Sequence, residues 1–475
     1  MSSKDEKANR LYLYLVVAIA ASGGLMFGFD LGVTSGAVNF WQDTAGWGLS
    51  DSTVETITSA MLIGAALGAV FGGKLTDRIG RKKVIIGAAL LDGVGSLYTG
   101  LAPDPNHLIV GRFLIGLAIG VSSLTVPLYL SEIAPARMRG AVVTMNQLMI
   151  AVGTKSSDII AYLLANDADP FCWRWMLLVG VIPPVILFFG MFFLPETPRW
   201  LISKGYEKKG KRVLEKFEDP VLVPTTFQKI KYDISQNIQR ASIRELFKPW
   251  LRNAVIIAVG IMFFQQATGI NTIIFYSPKI FKMAGIDSNT QTLVPTIIVG
   301  LVAFCFTLLS IFLIDKIGRR KLFFIGLTGM IVSLLFLGFS FYFESRLDTF
   351  AVTATMISML CYNSFYAISL GPLGWLLLSE IFPNKVRGVG MSIGTISNWV
   401  FNALVAYTFL KLVNAFTPAG AFWLYAVVGV LAVIWGYYYI PETKGVTLEE
   451  IEEHWAAGKS PRQLGIGSQK LKIKE

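Results

Sequence analysis

The sequence predicts an all-α membrane protein with twelve transmembrane helices in two pseudo-symmetric bundles of six. Its composition, the spacing of its apolar segments and an internal repeat lead to this fold class. Of the 475 residues, 53% are hydrophobic and 15% are charged, and the mean hydropathy is +0.57. Such values lie outside what a water-soluble surface tolerates, so a soluble multidomain enzyme is largely excluded.

The apolar segments are long enough to cross a bilayer, because a helix spanning about 30 Å of hydrocarbon needs roughly 20 mostly apolar residues. The first segment follows Lys4, Lys7 and Arg10, but it is longer than the core of a signal peptide and lacks a convincing cleavage site. We therefore expect a retained first helix. The twelve expected spans are 11–36, 54–75, 83–102, 108–130, 140–165, 174–195, 253–277, 292–314, 322–343, 351–378, 389–412 and 420–440.

A long polar stretch, rich in lysine and arginine, divides these spans six and six. The expected organisation is an N-terminus (1–10), a first six-helix bundle (11–195), a linker (196–252), a second six-helix bundle (253–440) and a tail (441–475).

Basic residues predict the orientation in the membrane. The formal net charge is +11, and the connections after the second, fourth, eighth and tenth spans are basic, whereas the alternate connections have few positive charges. The positive-inside rule therefore places both termini and the linker in the cytoplasm. These loops account for the charge excess, so no nucleic-acid partner is needed.

Three motifs occur in both halves in the same order, and such a repeat is typical of transporters built from duplicated halves. We therefore interpret the chain as two homologous six-helix bundles. The repeated segments are Asp77–Lys83 with Asp315–Lys321, Ser131–Pro135 with Ser379–Pro383, and Pro195–Thr197 with Pro441–Thr443.

Charged residues of these motifs fall at the expected cytoplasmic ends of helices. The glycine of each basic turn permits a tight reversal, and the aspartate can cap a helix or pair with an arginine. Carboxylate and guanidinium pairs there would latch the two bundles together while that side is closed. The alternative is a set of solvated charges worth little each; their duplication favours the latch. The expected gate residues are Asp77, Arg81, Glu132 with Arg139, Glu196 with Arg199, Asp315, Arg319, Glu380 with Arg387, and Glu442.

Taken together, these motifs resemble the sugar porter family of the major facilitator superfamily over residues 10–446. The resemblance also rests on Pro195–Trp200, Gln265–Asn271 and Pro441–Gly445. It implies a pseudo-twofold pair of bundles with the major facilitator fold, a central sugar site, alternating access, and a cytoplasmic helical domain made from the linker.

Three amides are the first candidates for binding a sugar. Gln265, Gln266 and Asn271 lie on a helix interrupted by Gly269, and 266 and 271 are about a turn and a half apart. Amides donate and accept hydrogen bonds at once, as sugar hydroxyls do. The alternative is that they join helices, as polar side chains in membranes often do. The resemblance implies that they are the sugar-binding amides of the seventh helix.

Further site residues come from the resemblance. Trp375 is similar to the family's tenth-helix tryptophan, which closes over the sugar, and its indole offers an apolar face and an N–H group. Asn398 occupies an eleventh-helix position where the family uses an amide. Phe27, Phe275 and Tyr276 resemble pocket or gate residues, with plain packing an equally good interpretation.

Asp30 is the most informative single residue, because an ionised carboxylate in an apolar helix is expensive unless it is paired. Arg112 on the fourth helix is the expected partner. The alternative is that Asp30 lies in water at the outer end of the first helix. Proton-coupled sugar porters resemble this sequence in carrying an acid here, whereas facilitative hexose uniporters carry an amide, and this favours proton coupling.

The fifth helix departs from the family pattern. Thr154 stands where several proton-coupled relatives place a sugar-binding glutamine, and polar residues follow it. Lys155 and Asp158 are i and i+3 and are expected to neutralise each other; alternatively, Lys155 attracts an anionic substrate. Asp92 in the third helix has no assigned role.

No catalytic or metal chemistry is predicted. The only cysteines are Cys172, Cys305 and Cys361, the only histidines are His107 and His454, and their positions build neither a disulfide framework nor a metal site. We therefore expect a membrane transporter that is not an enzyme and needs no cofactor.

The leading hypothesis is a monomeric, proton-coupled symporter of a hexose or pentose in a plasma or bacterial inner membrane. The alternative is a facilitative uniporter of a sugar or polyol. A sugar sensor is disfavoured by the short tail, and the sequence does not identify the sugar.

Overall fold

The computed structural model describes the backbone of residues 3–135, 138–236, 243–343, 349–383 and 386–464, and within these ranges it contains helices, turns and bends but no strand. In the first half the helices are α1 (Ser3–Trp41), α2 (Asp51–Ile79), α3 (Arg81–Gly100), α4 (Pro105–Ile133), α5 (Arg139–Leu164), α6 (Trp173–Val179) and α7 (Ile182–Phe193).

The linker contains short helices, as the resemblance implied. They are α8 (Pro198–Ser203), α9 (Glu207–Phe217), α10 (Val223–Gln236) and α11 (Ile243–Leu246), followed by a 3-10 turn at Pro249–Leu251. A small apolar core of Ile202, Leu214 and Val223 holds the first three together. The second half contains α12 (Arg252–Ala267), α13 (Ile270–Met283), α14 (Leu293–Ile317), α15 (Arg319–Tyr342), α16 (Thr349–Ile368), α17 (Leu370–Glu380), α18 (Arg387–Tyr439) and α19 (Leu448–Ala456), with a last 3-10 turn at Pro461–Gln463.

Within the described ranges, nine helical segments are long and apolar enough to cross a membrane. The longest, Arg387–Tyr439, is broken at Thr417 (φ 65°, ψ 164°) before Pro418, and so covers the last two predicted spans. Helices α3 and α5 occupy two further predicted spans. Hydropathy alone therefore does not confirm the count of twelve, because the charged residues of α3 and α5 lower their mean hydropathy.

Several predicted spans consist of two helical pieces. Gly269 adopts a left-handed conformation (φ 94°) between α12 and α13, as the sequence led us to expect. Ser369 (φ −125°, ψ −98°) separates α16 from α17. These interruptions free backbone carbonyl groups inside the membrane, where they need side-chain partners.

The chain divides into two compact units. Unit one comprises Met1–Ala37 and Ala60–Arg240, and unit two comprises Val38–Ser59 and Ala241–Glu475. Most of the linker therefore belongs to unit one. The end of α1 and the start of α2 belong to unit two, where Asn39 donates to Thr292 (3.2 Å) and Lys279 pairs with Asp51 (2.5 Å). The bundle limits expected from the sequence stay a prediction.

In unit one, small residues allow α1 and α5 to pack closely. A Cβ placed at Gly28 would lie 1.9 Å from the Ile150 carbonyl oxygen, and one at Gly32 would lie 2.8 Å from the Thr154 carbonyl oxygen. Such glycine contacts are a usual way for membrane helices to approach. They fix the part of α1 that carries Asp30.

Candidate functional site

The amide cluster of unit two, which we define as Gln265, Gln266, Asn271 and Asn398, is built around the break after α12. The left-handed Gly269 turns the chain between the two glutamines and Asn271, and a Cβ there would lie 2.8 Å from the Tyr425 ring. Only glycine meets both the conformational and the steric requirement. The break therefore brings side chains from two helical pieces together.

Gln265 joins three helices. Its Nε2 donates to the carbonyl oxygens of Leu370 (2.8 Å) and Gly371 (3.0 Å), and its Oε1 accepts from Asn398 Nδ2 (2.7 Å). Both carbonyl groups lie at the start of α17, next to the break at Ser369. Because both donors of this amide are used within the protein, Gln265 matches the alternative in which the amide joins helices.

Gln266 and Asn271 are arranged differently. Asn271 Nδ2 donates to Gln266 Oε1, and the two side chains are largely buried. Within the described part of the chain, Gln266 Nε2 and Asn271 Oδ1 have no protein partner, and neither atom is sealed from solvent. The pair therefore presents one donor and one acceptor, which is the pattern that a sugar hydroxyl pair requires.

The remaining predicted residues of unit two lie in different surroundings. Trp375 on α17 is 41% exposed, so its indole face is open. Asn398 is buried and contacts Gln265 and the Met262 sulfur (3.5 Å). Tyr276 is fully buried, and its hydroxyl donates to the Ala406 carbonyl oxygen (3.0 Å). Tyr276 therefore matches the packing interpretation better than that of a pocket wall.

Asn402 is a polar residue of unit two that the sequence analysis missed. It is buried on α18, one turn after Asn398, and its Oδ1 accepts no hydrogen bond from the described residues. The i, i+4 spacing from Asn398 was the signal available, because it places both amides on one helix face.

In unit one, Arg112 reaches Asp30 but binds its backbone. Both residues are buried, and Arg112 Nη2 donates to the Asp30 carbonyl oxygen (3.2 Å) and to the Thr34 hydroxyl, and approaches Met61 Sδ (3.1 Å). Among the described residues, Arg112 Nε and Nη1 and Asp30 Oδ2 have no hydrogen-bond partner. The expected direct ion pair is thus wrong for this structure, since the nearer carbonyl and hydroxyl oxygens hold the guanidinium.

The burial of Asp30 contradicts the alternative that it lies in water. It is 2% exposed, in an apolar helix of unit one. A carboxyl group and a guanidinium group are therefore held side by side inside the membrane-spanning region.

The polar run of α5 contains the expected ion pair. Lys155 Nζ lies 2.5 Å from Asp158 Oδ2, and both side chains are mostly buried. Thr154 donates its hydroxyl to the Ile150 carbonyl oxygen (3.0 Å) within the same helix. Phe27 is half-buried on α1. Sugar contacts by Thr154 and Phe27 stay predictions.

The Gly80 cluster, comprising Gly80, Arg81, Glu132, Glu196 and Thr197, closes one end of unit one. Arg81 makes a two-pronged bond to Glu132 (3.0 Å each), and Thr197 Oγ1 donates to the same carboxylate (2.6 Å). Glu196 accepts the Arg81 (3.1 Å) and Thr197 (2.9 Å) backbone N–H groups. Burial raises the pKa of Glu196, and these hydrogen bonds oppose the rise.

The Gly318 cluster, comprising Gly318, Arg319, Glu380, Glu442 and Thr443, repeats these bonds in unit two. Arg319 binds Glu380 (3.0 Å), Thr443 donates to Glu380, and Glu442 accepts the Arg319 backbone N–H (3.0 Å). The turn aspartates also pair with these arginines: Asp77 with Arg81 (3.4 Å) and Asp315 with Arg319 (3.0 Å).

The gate partners expected from sequence are therefore corrected. Glu132 and Glu380 are bound by the turn arginines Arg81 and Arg319, and Glu380 is bound by Arg319 instead of Arg387. Each of these ion pairs lies inside one unit. Arg387 donates to the Phe382 carbonyl oxygen (3.4 Å). Glu196 is held by backbone N–H groups instead of Arg199. The Arg139 side chain lies outside the described residues. Proximity in sequence suggested the pair of Glu380 and Arg387, but the folded helices bring Arg319 closer to Glu380.

Two compact units, long apolar helices, and polar groups buried among them define a multi-pass membrane transporter. A sequence model of the family described as "Sugar (and other) transporter" matches residues 16–455. The chain belongs to the sugar porter family of the major facilitator superfamily, which confirms the resemblance and the fold class. It is accordingly a multi-pass protein of the cell membrane and a transporter, not an enzyme.

Individual relatives agree with this. The chain is 37% identical to the galactose-proton symporter of Escherichia coli (strain K12), with 98% of this chain and 99% of the relative covered. It is 36% identical to the arabinose-proton symporter of the same strain, with 98% and 97% covered. The solved inward-open structure of the xylose transporter XylE from E. coli matches with a TM-score of 0.80 and 31% identity, covering 94% of this chain and all of that one.

Proposed function

We propose that this protein is a proton-coupled symporter that moves a monosaccharide, a hexose or a pentose, across the cell membrane by alternating access. The observation that carries the proposal is the buried carboxyl group of Asp30 beside Arg112 in unit one. Ionisable groups inside membrane helices are expensive and mark ion or proton pathways. The galactose and arabinose symporters among the relatives support the same function.

The sugar is bound through unit two. Gln266 Nε2 donates to one hydroxyl and Asn271 Oδ1 accepts from another, while the exposed face of Trp375 packs on the C–H side of the ring. Gln265 and Asn398 hold the helices in register around them. This division assigns binding to two amides and positioning to two others.

The proton acts through unit one. When Asp30 is ionised, its carboxylate attracts the two unpartnered nitrogens of Arg112, and when it is protonated that attraction is lost. A carrier that reorients only in the neutralised form couples proton entry to sugar entry. The turn clusters and both termini lie on the cytoplasmic side in this proposal.

Uptake by proteoliposomes tests the coupling. Under an inward proton gradient the wild-type protein should accumulate labelled sugar above equilibrium, and a protonophore should abolish the excess. A panel of galactose, arabinose, xylose, glucose and myo-inositol identifies the substrate. If each transported sugar reaches its equilibrium level and none accumulates above it, the uniporter alternative is established.

Asp30→Asn sharpens the same experiment, because asparagine imitates the protonated form. This variant should lose accumulation but keep sugar binding and counterflow exchange, which need no net proton movement. Asp169→Asn, in an exposed turn, is the matched control and should accumulate as the wild type does. Accumulation by Asp30→Asn would exclude Asp30 as the coupling residue.

A further inference from the structure

Unit one holds a second buried acid next to Asp30. Asp92 on α3 is fully buried, and no described residue donates a hydrogen bond to either of its carboxyl oxygens. Met26 and Ala89, each about one helical turn before Asp30 and Asp92, belong to the same apolar core, so α1 and α3 bring the two carboxyl groups close together, with Arg112 as the nearby positive charge. Three ionisable side chains from α1, α3 and α4 therefore form one buried group.

In α6 and α7, which pack on α3 within the described part of the chain, no second charge faces this group. Gly95 on α3 faces Ile115 of α4, and Gly93 faces Pro184 of α7, where α7 has only apolar residues. Arg174, the charged residue of α6, donates to the Gly100 carbonyl oxygen (3.2 Å), two turns further along α3. Asp30 and Arg112 are thus the charged partners that act on Asp92.

A contact between two carboxyl groups requires a proton. Ionised carboxylates only accept hydrogen bonds, so two of them repel each other when buried together. With both acids ionised, the group including Arg112 carries one net negative charge; with one proton added, it is neutral. Because an uncompensated charge is costly in an apolar interior, the neutral form is favoured.

We propose that Asp30 and Asp92 share a single proton, so that Asp92 is a second residue of the proton-binding site. This inference rests on the proposed function and deepens it. The proton enters from one side and bonds to one carboxylate oxygen of the pair, which donates it in a hydrogen bond to the other. It leaves to the opposite side, and the pair returns to its doubly ionised form, held by Arg112. The pair titrates as a unit, not as two independent acids.

Two single variants test the pair in the proteoliposome assay. Asp92→Asn leaves Asp30 and Arg112 as a neutral ion pair with no shared proton, so accumulation should fall to the equilibrium level while sugar binding and counterflow persist. The pH dependence of counterflow should flatten, which a merely structural role of Asp92 would not produce. Ser96→Ala, one turn along α3 and equally buried, is the control and should accumulate normally.

The outcomes separate this inference from the proposed function. If the wild type fails to accumulate sugar, the proposed function fails. If Asp30→Asn loses accumulation but Asp92→Asn retains it with an unchanged pH profile, only the shared proton is wrong.

Infrared spectroscopy of the wild type covers the case in which Asp92→Asn does not fold. A protonated carboxyl band should be present at neutral pH, and it should shift or disappear in Asp30→Asn. Absence of that band in the wild type would overturn the proposal.

Discussion

The buried polar side chains of the two units differ, although the Gly80 cluster and the Gly318 cluster are nearly the same. Unit one buries a group of three charged side chains, Asp30, Asp92 and Arg112, whereas the break after α12 in unit two is surrounded by buried amides such as Gln265 and Asn398. Unit two also buries the acid Glu55, whose carboxylate accepts the Leu410 (2.7 Å) and Lys411 (3.1 Å) backbone N–H groups. In each unit an arginine and a threonine bind the same glutamate, with two bonds from Arg81 to Glu132 and one from Arg319 to Glu380. The duplicated bonds thus lie inside each unit, and the buried polar groups are where the two units differ.

The similarity of the clusters extends to the next residue along the chain. Lys82 Nζ donates to the Phe192 (2.9 Å) and Leu194 (2.7 Å) carbonyl oxygens, and Arg320 donates to those of Tyr437 (2.8 Å) and Ile440. Lysine and arginine differ in shape, yet both close the last turn of a neighbouring helix. The carbonyl groups that end that helix are satisfied in both units.

We expect the largest loss of stability when one of the buried charged residues of unit one is removed. Arg112→Ala leaves Asp30 and Asp92 without a positive partner, and breaking such a buried arrangement costs about 3 to 5 kcal/mol. Thermal unfolding in detergent should show a large loss of stability or little folded protein. Arg78→Ala, which removes an exposed arginine, is the control and should unfold as the wild type does. Equal stability of the two variants would show that Arg112 does not compensate the acids.

Substitutions of the buried amides in unit two should separate effects on sugar binding from effects on stability. Gln266→Ala and Asn271→Ala remove groups with unfilled hydrogen-bonding capacity, so each should weaken sugar binding by about 1 to 3 kcal/mol, while folding changes little. Gln265→Ala instead leaves two buried carbonyl groups without a donor and should lower the unfolding temperature as well.

Calorimetry and thermal unfolding on the same purified variants compare the two effects. Gln291→Ala, at an exposed position, is the control for both measurements. Wild-type affinity in both Gln266→Ala and Asn271→Ala would exclude this pair as the sugar site.

Elements and pairs with a strong local signal, such as Lys155 with Asp158, could be predicted from the sequence, but side-chain partners on different helices mostly could not. The break at Gly269 was visible because a glycine interrupts an apolar helix next to amides. The break at Ser369 was missed, although Gly371 and Pro372 follow it and a proline inside an apolar run is a signal for a kink or a helix start. Glu380 was matched with Arg387, seven residues away, but its partner Arg319 comes from another helix. That choice depends on packing between helices, which periodicity does not reveal.

The same limit applies inside unit one. Asp30 and Arg112 were placed together correctly, because two charged residues in apolar helices need each other. The atom that Arg112 binds is the Asp30 carbonyl oxygen, and the proximity of Asp92 to Asp30 was not foreseen. Both depend on the rotation of α1 and α3 about their axes.

Substitution of the glycine in either duplicated turn should lower stability by a similar amount, and by less than the changes above. Gly80 (φ 104°) and Gly318 (φ 94°) adopt conformations that side chains rarely tolerate, and a Cβ would lie 2.3 Å from Glu196 Oε2 and 2.6 Å from Glu442 Oε2. Gly80→Ala and Gly318→Ala should therefore each cost about 1 kcal/mol or more through backbone strain and displacement of the carboxylate. Gly73→Ala is the control, because its added Cβ meets open space in the middle of α2 and should be neutral or slightly stabilising. Thermal unfolding of the three variants decides the point. If one turn tolerates alanine and the other does not, the two clusters have similar bonds but contribute differently to the free energy of unfolding. Their similarity would then reflect common descent more than an equal contribution to stability.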